Sequence, residues 1–100
     1  MPKVKHIALV RFKEGTSNEQ IDELFDALLD VTENVEGVED YVSGPNTSPE
    51  NLNKGFTHGF VITFQDAATR DAYLTHPDHE QFKSKFVPLI DDIAVVDFEI

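Results

Sequence analysis

Two side chains suited to acid–base chemistry flank a proline in the segment Tyr73-Leu74-Thr75-His76-Pro77-Asp78-His79. A neutral imidazole can take a proton near pH 7, and a phenol can donate a hydrogen bond to an oxygen that gains negative charge. Because proline interrupts a helix, Pro77 can re-aim the chain so that Tyr73 and His79 face a common space. The two are therefore our candidate catalytic residues. Spacing alone leaves a structural role open, since polar loop residues commonly satisfy backbone groups.

Two further histidines lie on otherwise apolar faces of predicted strands. His6 falls in the segment VKHIALVRF at 4–12, and His58 falls in FTHGFVITF at 56–64. A buried imidazole needs a hydrogen-bond partner, and a single core histidine is ordinarily structural. Two histidines on adjacent strands that face the same helices indicate a polar pocket instead. Each lies near the start of its strand and the strands run antiparallel, so we expect them at opposite ends of that pocket.

The composition argues against metal and cofactor chemistry. The chain has no cysteine, which excludes disulfides, thiolate metal sites and cysteine nucleophiles. It also has no Ser-His-Asp order, no glycine-rich phosphate loop and no metal-binding helix motif. The run Asp78-His79-Glu80 is too local to hold a metal without distant partners. We therefore expect neither a metal nor an organic cofactor.

The first strand has apolar residues on both of its faces. Val4, His6, Ala8, Val10 and Phe12 alternate with a second set made of Lys5, Ile7, Leu9 and Arg11. A strand of this kind is covered on both sides. Helices on one side of a sheet cannot cover Ile7 and Leu9, so we predict a homodimer through the face that bears the second set.

The rest of the chain has the spacing of alternating helices and strands. A helix begins at a capping box, either Thr16 with Glu19 or Ser17 with Gln20, and its apolar stripe ends at Val31. The later segments predict an edge strand at 38–43, a loop at 44–55, a strand at 56–64, a short helix from Asp66 to Tyr73 or Leu74, a second helical stretch begun by Asp78 and Gln81, and a last strand in 93–100.

The order strand, helix, strand, strand, helix, strand is that of ferredoxin-like α+β folds. Right-handed crossovers place strands one and three side by side at the centre of the sheet, with both helices on one face. One hundred residues suit a single domain, 1–100.

The net charge limits the partners. At −11, the chain repels phosphate backbones and anionic lipid surfaces, so we expect neither nucleic-acid nor membrane binding. The apolar stretch near the N-terminus is too short for a signal peptide, and no run is long enough to span a membrane. These features and the lack of cysteine suit a cytoplasmic protein.

Three segments carry a resemblance to a known family. They are KHIALVRFK at 5–13, GFTHGFVITF at 55–64 and DAYLTHPDHEQF at 71–82. Together they resemble the stress-responsive dimeric α/β-barrel family over essentially the whole chain. The resemblance implies a ferredoxin-like protomer whose sheet packs against its twin to form a dimeric α+β barrel.

The resemblance also implies roles for individual residues. The family includes plant stress proteins without an assigned reaction and a cofactor-free enzyme that closes a poly-β-keto chain by an aldol step. In that comparison His79 matches the base and Tyr73 the residue that assists it, while His6 and His58 match pocket histidines. The candidate substrate-binding residues are His6, His58, Ala8, Val10, Phe25, Leu28, Phe60 and Ile62.

This chain departs from the cyclase in its pocket. Leu28 replaces a helical tyrosine, Ala8 and Val10 are small, and Phe60 narrows the third strand. The substrate therefore does not carry over. Our leading interpretation is a pocket for a small, partly apolar carbonyl or phenolic compound. The alternatives are a cofactor-free cyclase that uses the His/Tyr pair, and a non-catalytic structural stress protein.

Overall fold

The elements follow the predicted order, and the last two helices are separated at the His76-Pro77 break, as predicted. The computed structural model describes residues 2–100. Its elements are β1 (Val4–Phe12), α1 (Asn18–Asn34), β2 (Val38–Pro45), β3 (His58–Phe64), α2 (Ala67–Leu74), α3 (Pro77–Phe86), a 3₁₀ turn at Val87–Leu89, and β4 (Ile90–Glu99).

The four strands form one sheet in the order β2-β3-β1-β4, with all neighbours antiparallel. This is a ferredoxin-like α+β fold, and the central position predicted for the first and third strands is confirmed. Strand β2 continues through Pro45, two residues further than predicted. An edge strand tolerates proline because one of its sides has no ladder to donate to. Strand β4 begins at Ile90, where it already pairs with Phe12.

The core lies between the sheet and the helices, on the face predicted for it. Val4, Ala8 and Val10 of β1 are buried against Ile62 and Phe64 of β3. The apolar stripe of α1 closes this core from the other side. Helix α1 begins at the second of the two possible capping boxes, in which the Gln20 amide donates to Ser17 Oγ at 3.1 Å.

The break between α2 and α3 differs from the prediction in one detail. We expected Asp78 to start the helix, but His76 is the N-cap residue. The Asp78 amide donates to His76 Nδ1 at 3.0 Å. Pro77 occupies the first helical position, where its missing N–H costs nothing. The His76 imidazole thus accepts the capping hydrogen bond that a serine or aspartate side chain commonly accepts at a helix N-terminus.

The other face of the sheet is apolar and has no helix over it. The register places four side chains in one row across the strands, in the order Val42, Val61, Ile7, Val96. Leu9 and Phe98 flank this row, and Val96 is 60% exposed.

In residues 2–100, no helix is long and apolar enough to cross a bilayer.

Candidate functional site

The Tyr73 and His79 rings face each other across the helix break. Tyr73 lies in the last turn of α2 and His79 in the first turn of α3. Their ring centroids are 4.5 Å apart. Tyr73 is only 1% exposed, whereas His79 is partly open. The break therefore brings the two predicted catalytic side chains into contact.

A hydrogen bond fixes which nitrogen of His79 carries the proton. His79 Nδ1 lies 3.1 Å from the Leu74 carbonyl oxygen. A carbonyl can only accept, so Nδ1 is the donor and Nε2 of the neutral ring keeps a free lone pair. Burial is the main effect and lowers the pKa of His79 below its ordinary 6.5, and the nearby charge of Lys83 lowers it further. The hydrogen bond to Leu74 and the charge of Glu80 raise the pKa but do not offset this. His79 is thus a neutral base at pH 7.

Tyr73 is arranged as a donor. Burial raises the pKa of its hydroxyl well above the ordinary value, so the hydroxyl keeps its proton. The hydroxyl makes no hydrogen bond to another described residue. Every fully enclosed side-chain nitrogen or oxygen in residues 2–100 has a partner, so the Tyr73 hydroxyl is not fully enclosed. The hydroxyl is therefore the part of Tyr73 that reaches open space, and it can donate to a bound oxygen.

A second imidazole with an acidic partner lies nearby. The His6 and Tyr73 centroids are 6.3 Å apart. His6 Nδ1 lies 2.7 Å from Asp97 Oδ1, and Asp97 Oδ2 accepts from Arg70 Nη1 at 2.7 Å. Sequence reasoning missed Asp97 and Arg70. The alternation of side chains along β4 could have indicated Asp97, because Asp97 is directly opposite His6 in the register and lies on the same face of the sheet.

His6, Asp97, Tyr73 and His79 line one cavity of about 650 Å³ between the sheet and the two short helices. It contains four of the predicted site residues: His6, Phe60, Tyr73 and His79. Phe86, which we also expected between the helices and the sheet, lines it as well. Apolar side chains that were not predicted complete it: Leu74, Phe82, Val87, Ile90, Ile93 and Val95. The cavity reaches the surface at Val95, which is 51% exposed. It is a mostly apolar space whose polar lining comes from His6, Tyr73, His79, Lys83 and Asp97.

The other predicted binding residues lie elsewhere. Ala8, Val10, Leu28 and Ile62 are fully buried in the core. None of these four lines the cavity of His79.

His58 and Phe25 line a separate cavity of about 740 Å³, beside the first turns of α1. His58 packs against Phe12 with centroids 5.4 Å apart, and burial lowers the pKa of its imidazole. This second cavity is larger but also carries Asp22 and Asp26 and has no donor–base pair. The structure therefore separates His58 from His6, and we place the candidate site at His79.

No three His, Asp or Glu side chains in residues 2–100 come together in a way that would hold a metal ion. The expectation that the protein needs no cofactor stays a prediction.

Comparison with known proteins identifies one family. The model of the stress responsive A/B barrel domain matches residues 4–100. The stress-response A/B barrel domain-containing protein HS1 of Arabidopsis thaliana is 34% identical over 96% of this chain and 88% of its own length. Olivetolic acid cyclase of Cannabis sativa is 24% identical over 95% of this chain and 94% of its own.

Solved structures show the same fold. Hydroxynitrile lyase from Passiflora edulis superposes with a TM-score of 0.91 at 26% identity, covering 98% of this chain and 93% of the lyase. A dimeric ferredoxin-like protein from Jannaschia superposes with a TM-score of 0.88 at 27% identity, covering 98% and 99%. Two similar proteins thus have enzyme names, and a third is described as a dimer.

Proposed function

This chain belongs to the stress-responsive A/B barrel domain family, and we propose that it forms a homodimer whose His79 cavity binds a small, partly apolar carbonyl or phenolic compound. The observation that carries the proposal is the placing of an unpartnered phenol, a free imidazole nitrogen and an apolar wall around one space. Residues 1–100 act as a single domain in this proposal. A reducing compartment such as the cytoplasm suits a chain without cysteine.

The homodimer is supported by the uncovered face of the sheet. The row Val42, Val61, Ile7 and Val96 makes a continuous apolar surface of the kind that marks an interface. Lys5, the charged side chain nearest this row on β1, is turned to Thr63 Oγ1 at 2.8 Å. Two such faces pack about 10 Å apart in stacked sheets, which leaves room for interleaved side chains. The similar Jannaschia protein is described as dimeric.

The ligand class is supported by the balance of the cavity lining. Phe60, Phe82 and Phe86 offer aromatic surface that favours a flat or apolar body. Tyr73 offers one donor, which a carbonyl or phenolic oxygen can accept. His79 Nε2 offers one acceptor, which a hydroxyl can use. A volume of about 650 Å³ is in the range of ordinary small-molecule pockets.

The test is a titration of the ¹⁵N-labelled protein with acetophenone and with phenol, followed by NMR. We expect saturable shifts centred on the residues of the His79 cavity. The variant Val95→Trp places a large ring at the cavity mouth and should abolish these shifts. Leu29→Trp is the matched control, because Leu29 is an exposed residue of α1 away from the cavity. Unchanged binding by Val95→Trp would refute the His79 cavity as the binding site, and no binding by the native protein would leave a structural role as the better description.

A second candidate function is cofactor-free proton transfer next to a carbonyl. The observation that favours it is the bond from His79 Nδ1 to the Leu74 carbonyl, which leaves Nε2 as a base beside the Tyr73 donor. Nε2 would take the proton from the carbon next to a carbonyl, and Tyr73 would stabilise the enolate oxygen. The enolate carbon would then attack a second carbonyl, and the resulting alkoxide would regain the proton. The enzyme names of two similar proteins, a cyclase and a lyase, support this candidate.

A further inference from the structure

A chain of three polar side chains connects β1, β4 and α2: His6 and Asp97 line the cavity, and Arg70 lies behind them. His6 Nδ1 lies 2.7 Å from Asp97 Oδ1, and Arg70 Nη1 donates to Asp97 Oδ2 at 2.7 Å. Arg70 Nε also donates to Asp71 at 2.8 Å, which fixes the guanidinium from its other side. His6 is 7% exposed and Arg70 remains mostly covered. Each oxygen of Asp97 therefore has its own partner, and the carboxylate plane is held.

The chemistry of these groups decides the tautomer of His6. Arg70 can only donate, so Asp97 Oδ2 must accept. A carboxylate satisfies both of its neighbours only if His6 Nδ1 also donates. The neutral His6 ring then has its hydrogen on Nδ1 and its lone pair on Nε2.

His6 Nε2 faces the cavity. Nε2 has no hydrogen-bond partner among the described residues. Every fully enclosed polar side-chain atom in residues 2–100 has a partner, so Nε2 is accessible from a cavity or from solvent. His6 also lines the cavity itself. Along this wall the groups run acceptor, donor, acceptor: His6 Nε2, the Tyr73 hydroxyl and His79 Nε2. The centroids are 6.3 Å apart for His6 and Tyr73 and 4.5 Å apart for Tyr73 and His79.

We infer that Arg70 is a positioning residue which, through Asp97, holds His6 as a hydrogen-bond acceptor, and that the site selects carbonyl compounds that also carry a hydroxyl group. The carbonyl oxygen accepts from Tyr73 and the hydroxyl donates to His6 Nε2, which leaves His79 Nε2 for the carbon acid or for a second hydroxyl. This inference rests on the proposed function and adds the substrate class to it. The signature of the class is a preference for a hydroxy ketone over the plain ketone.

The experiment compares 3-hydroxyacetophenone with acetophenone in the native protein and in Arg70→Gln. One extra hydrogen bond in the native site should give about a tenfold lower Kd for the hydroxy ketone, which corresponds to about 1.4 kcal/mol. In Arg70→Gln the shorter, neutral side chain no longer clamps Asp97 Oδ2, so Asp97 and His6 lose their fixed orientation and the ratio of the two Kd values should fall towards one. Arg11→Gln is the matched control, because Arg11 pairs with Asp91 at 2.7 Å on the outer face of the sheet, on the opposite side from the cavity.

Ring ¹⁵N NMR at pH 8 tests the positioning role without a ligand. Native His6 should show hydrogen on Nδ1 and a lone pair on Nε2. Asp97→Asn can donate its amide to Nδ1 and should move the hydrogen to Nε2, which a purely structural role would not require. This variant keeps the shape of Asp97, so it serves if Arg70→Gln does not fold.

The outcomes test the substrate class and the proposed function separately. Equal binding of both ketones by the native protein overturns the substrate class and leaves the proposed function in place. Binding of neither ketone overturns the proposed function together with the class. A native His6 with hydrogen on Nε2 overturns the role of Arg70 and Asp97, whatever the ketones do.

Discussion

Tyr73 and His79 are six residues apart in the chain, yet their ring centroids lie 4.5 Å apart. On one continuous helix, residues six apart point about 120° away from each other, since each residue turns the helix by about 100°. The break at Pro77 removes this constraint by ending α2 at Leu74 and starting α3 afresh. The geometry of the candidate site is therefore a product of the helix break.

The first prediction concerns the cap that holds this break. His76→Ala removes the acceptor for the Asp78 amide and should lower the free energy of unfolding by about 1 kcal/mol, the usual value of an N-cap. Chemical denaturation measures this. His76→Asn is the matched control, because asparagine is a good N-cap and should restore most of the loss. Equal destabilisation by both variants would show that the imidazole acts in some other way.

A second prediction separates cavity from core. Phe64 is fully buried and lines no cavity described above, so Phe64→Ala should cost about 3–5 kcal/mol of unfolding free energy. Phe60 borders the His79 cavity, and Phe60→Ala enlarges a space that already exists. Its cost should be lower by about 1 kcal/mol or more, since less new void is created. Equal costs for the two variants would indicate that the space at Phe60 is packed solid, which would count against every ligand proposal above.

The third prediction concerns the outer face of the sheet. Ile7→Asp and Val96→Asp each place a charge in the apolar row and should convert the proposed dimer to monomers, because an unpaired charge would be buried between the sheets. Val96 is well exposed in the protomer, so its variant should fold even when the dimer is lost. Sedimentation at micromolar concentration measures the change.

The control for that experiment is Leu29→Asp, which adds the same charge to an exposed apolar position of α1. It should remain dimeric. A native protein that sediments as a monomer at this concentration would refute the dimer. Dissociation of the Leu29→Asp variant alone would place the interface on the helix side and refute the outer face of the sheet as the interface.

Periodicity in the sequence was enough to predict most of the fold. The alternation in β1 separated the buried set from Ile7 and Leu9, and the heptad-like stripe of α1 located its buried side. The sequence was also sufficient to pair Tyr73 with His79, because proline has a known effect on helices. Local signals did not decide between two capping boxes, and they did not favour His76 over Asp78 as a cap.

Long-range pairing explains what the sequence did not reveal. Asp97 is 91 residues from His6, and their bond depends on the exact register between β1 and β4. Arg70 on α2 reaches Asp97 on β4 only because of the way α2 lies over the sheet. The cavity residues Ile93 and Val95 belong to the same strand. The candidate site thus combines a local segment that sequence reasoning could find with a wall that only the assembled sheet defines.

The last prediction is the pH dependence of any proton-transfer activity. His79 must be neutral to act as a base, so kcat should rise with pH through the pKa of His79 and then reach a plateau. Because burial lowers that pKa, the rise should lie below pH 6.5 and the plateau should include pH 7. The Tyr73 hydroxyl keeps its proton throughout this range, since burial raises its pKa. Kinetics from pH 4.5 to 9 on a substrate that the native protein turns over would measure the profile.

Variants of the same pair complete this test. His79→Ala should lower kcat by about 10²–10⁴-fold, the usual contribution of a general base, and should abolish the acid limb of the profile. Tyr73→Phe should lower kcat by a similar or smaller factor and keep the limb, because it removes only the oxyanion donor and leaves the ring in place. His76→Ala is the internal control: it should affect stability more than kcat, and the acid limb should remain. If instead Tyr73→Phe and His79→Ala only melt earlier and no carbonyl substrate is turned over, the pair serves folding, and the proton-transfer function is wrong.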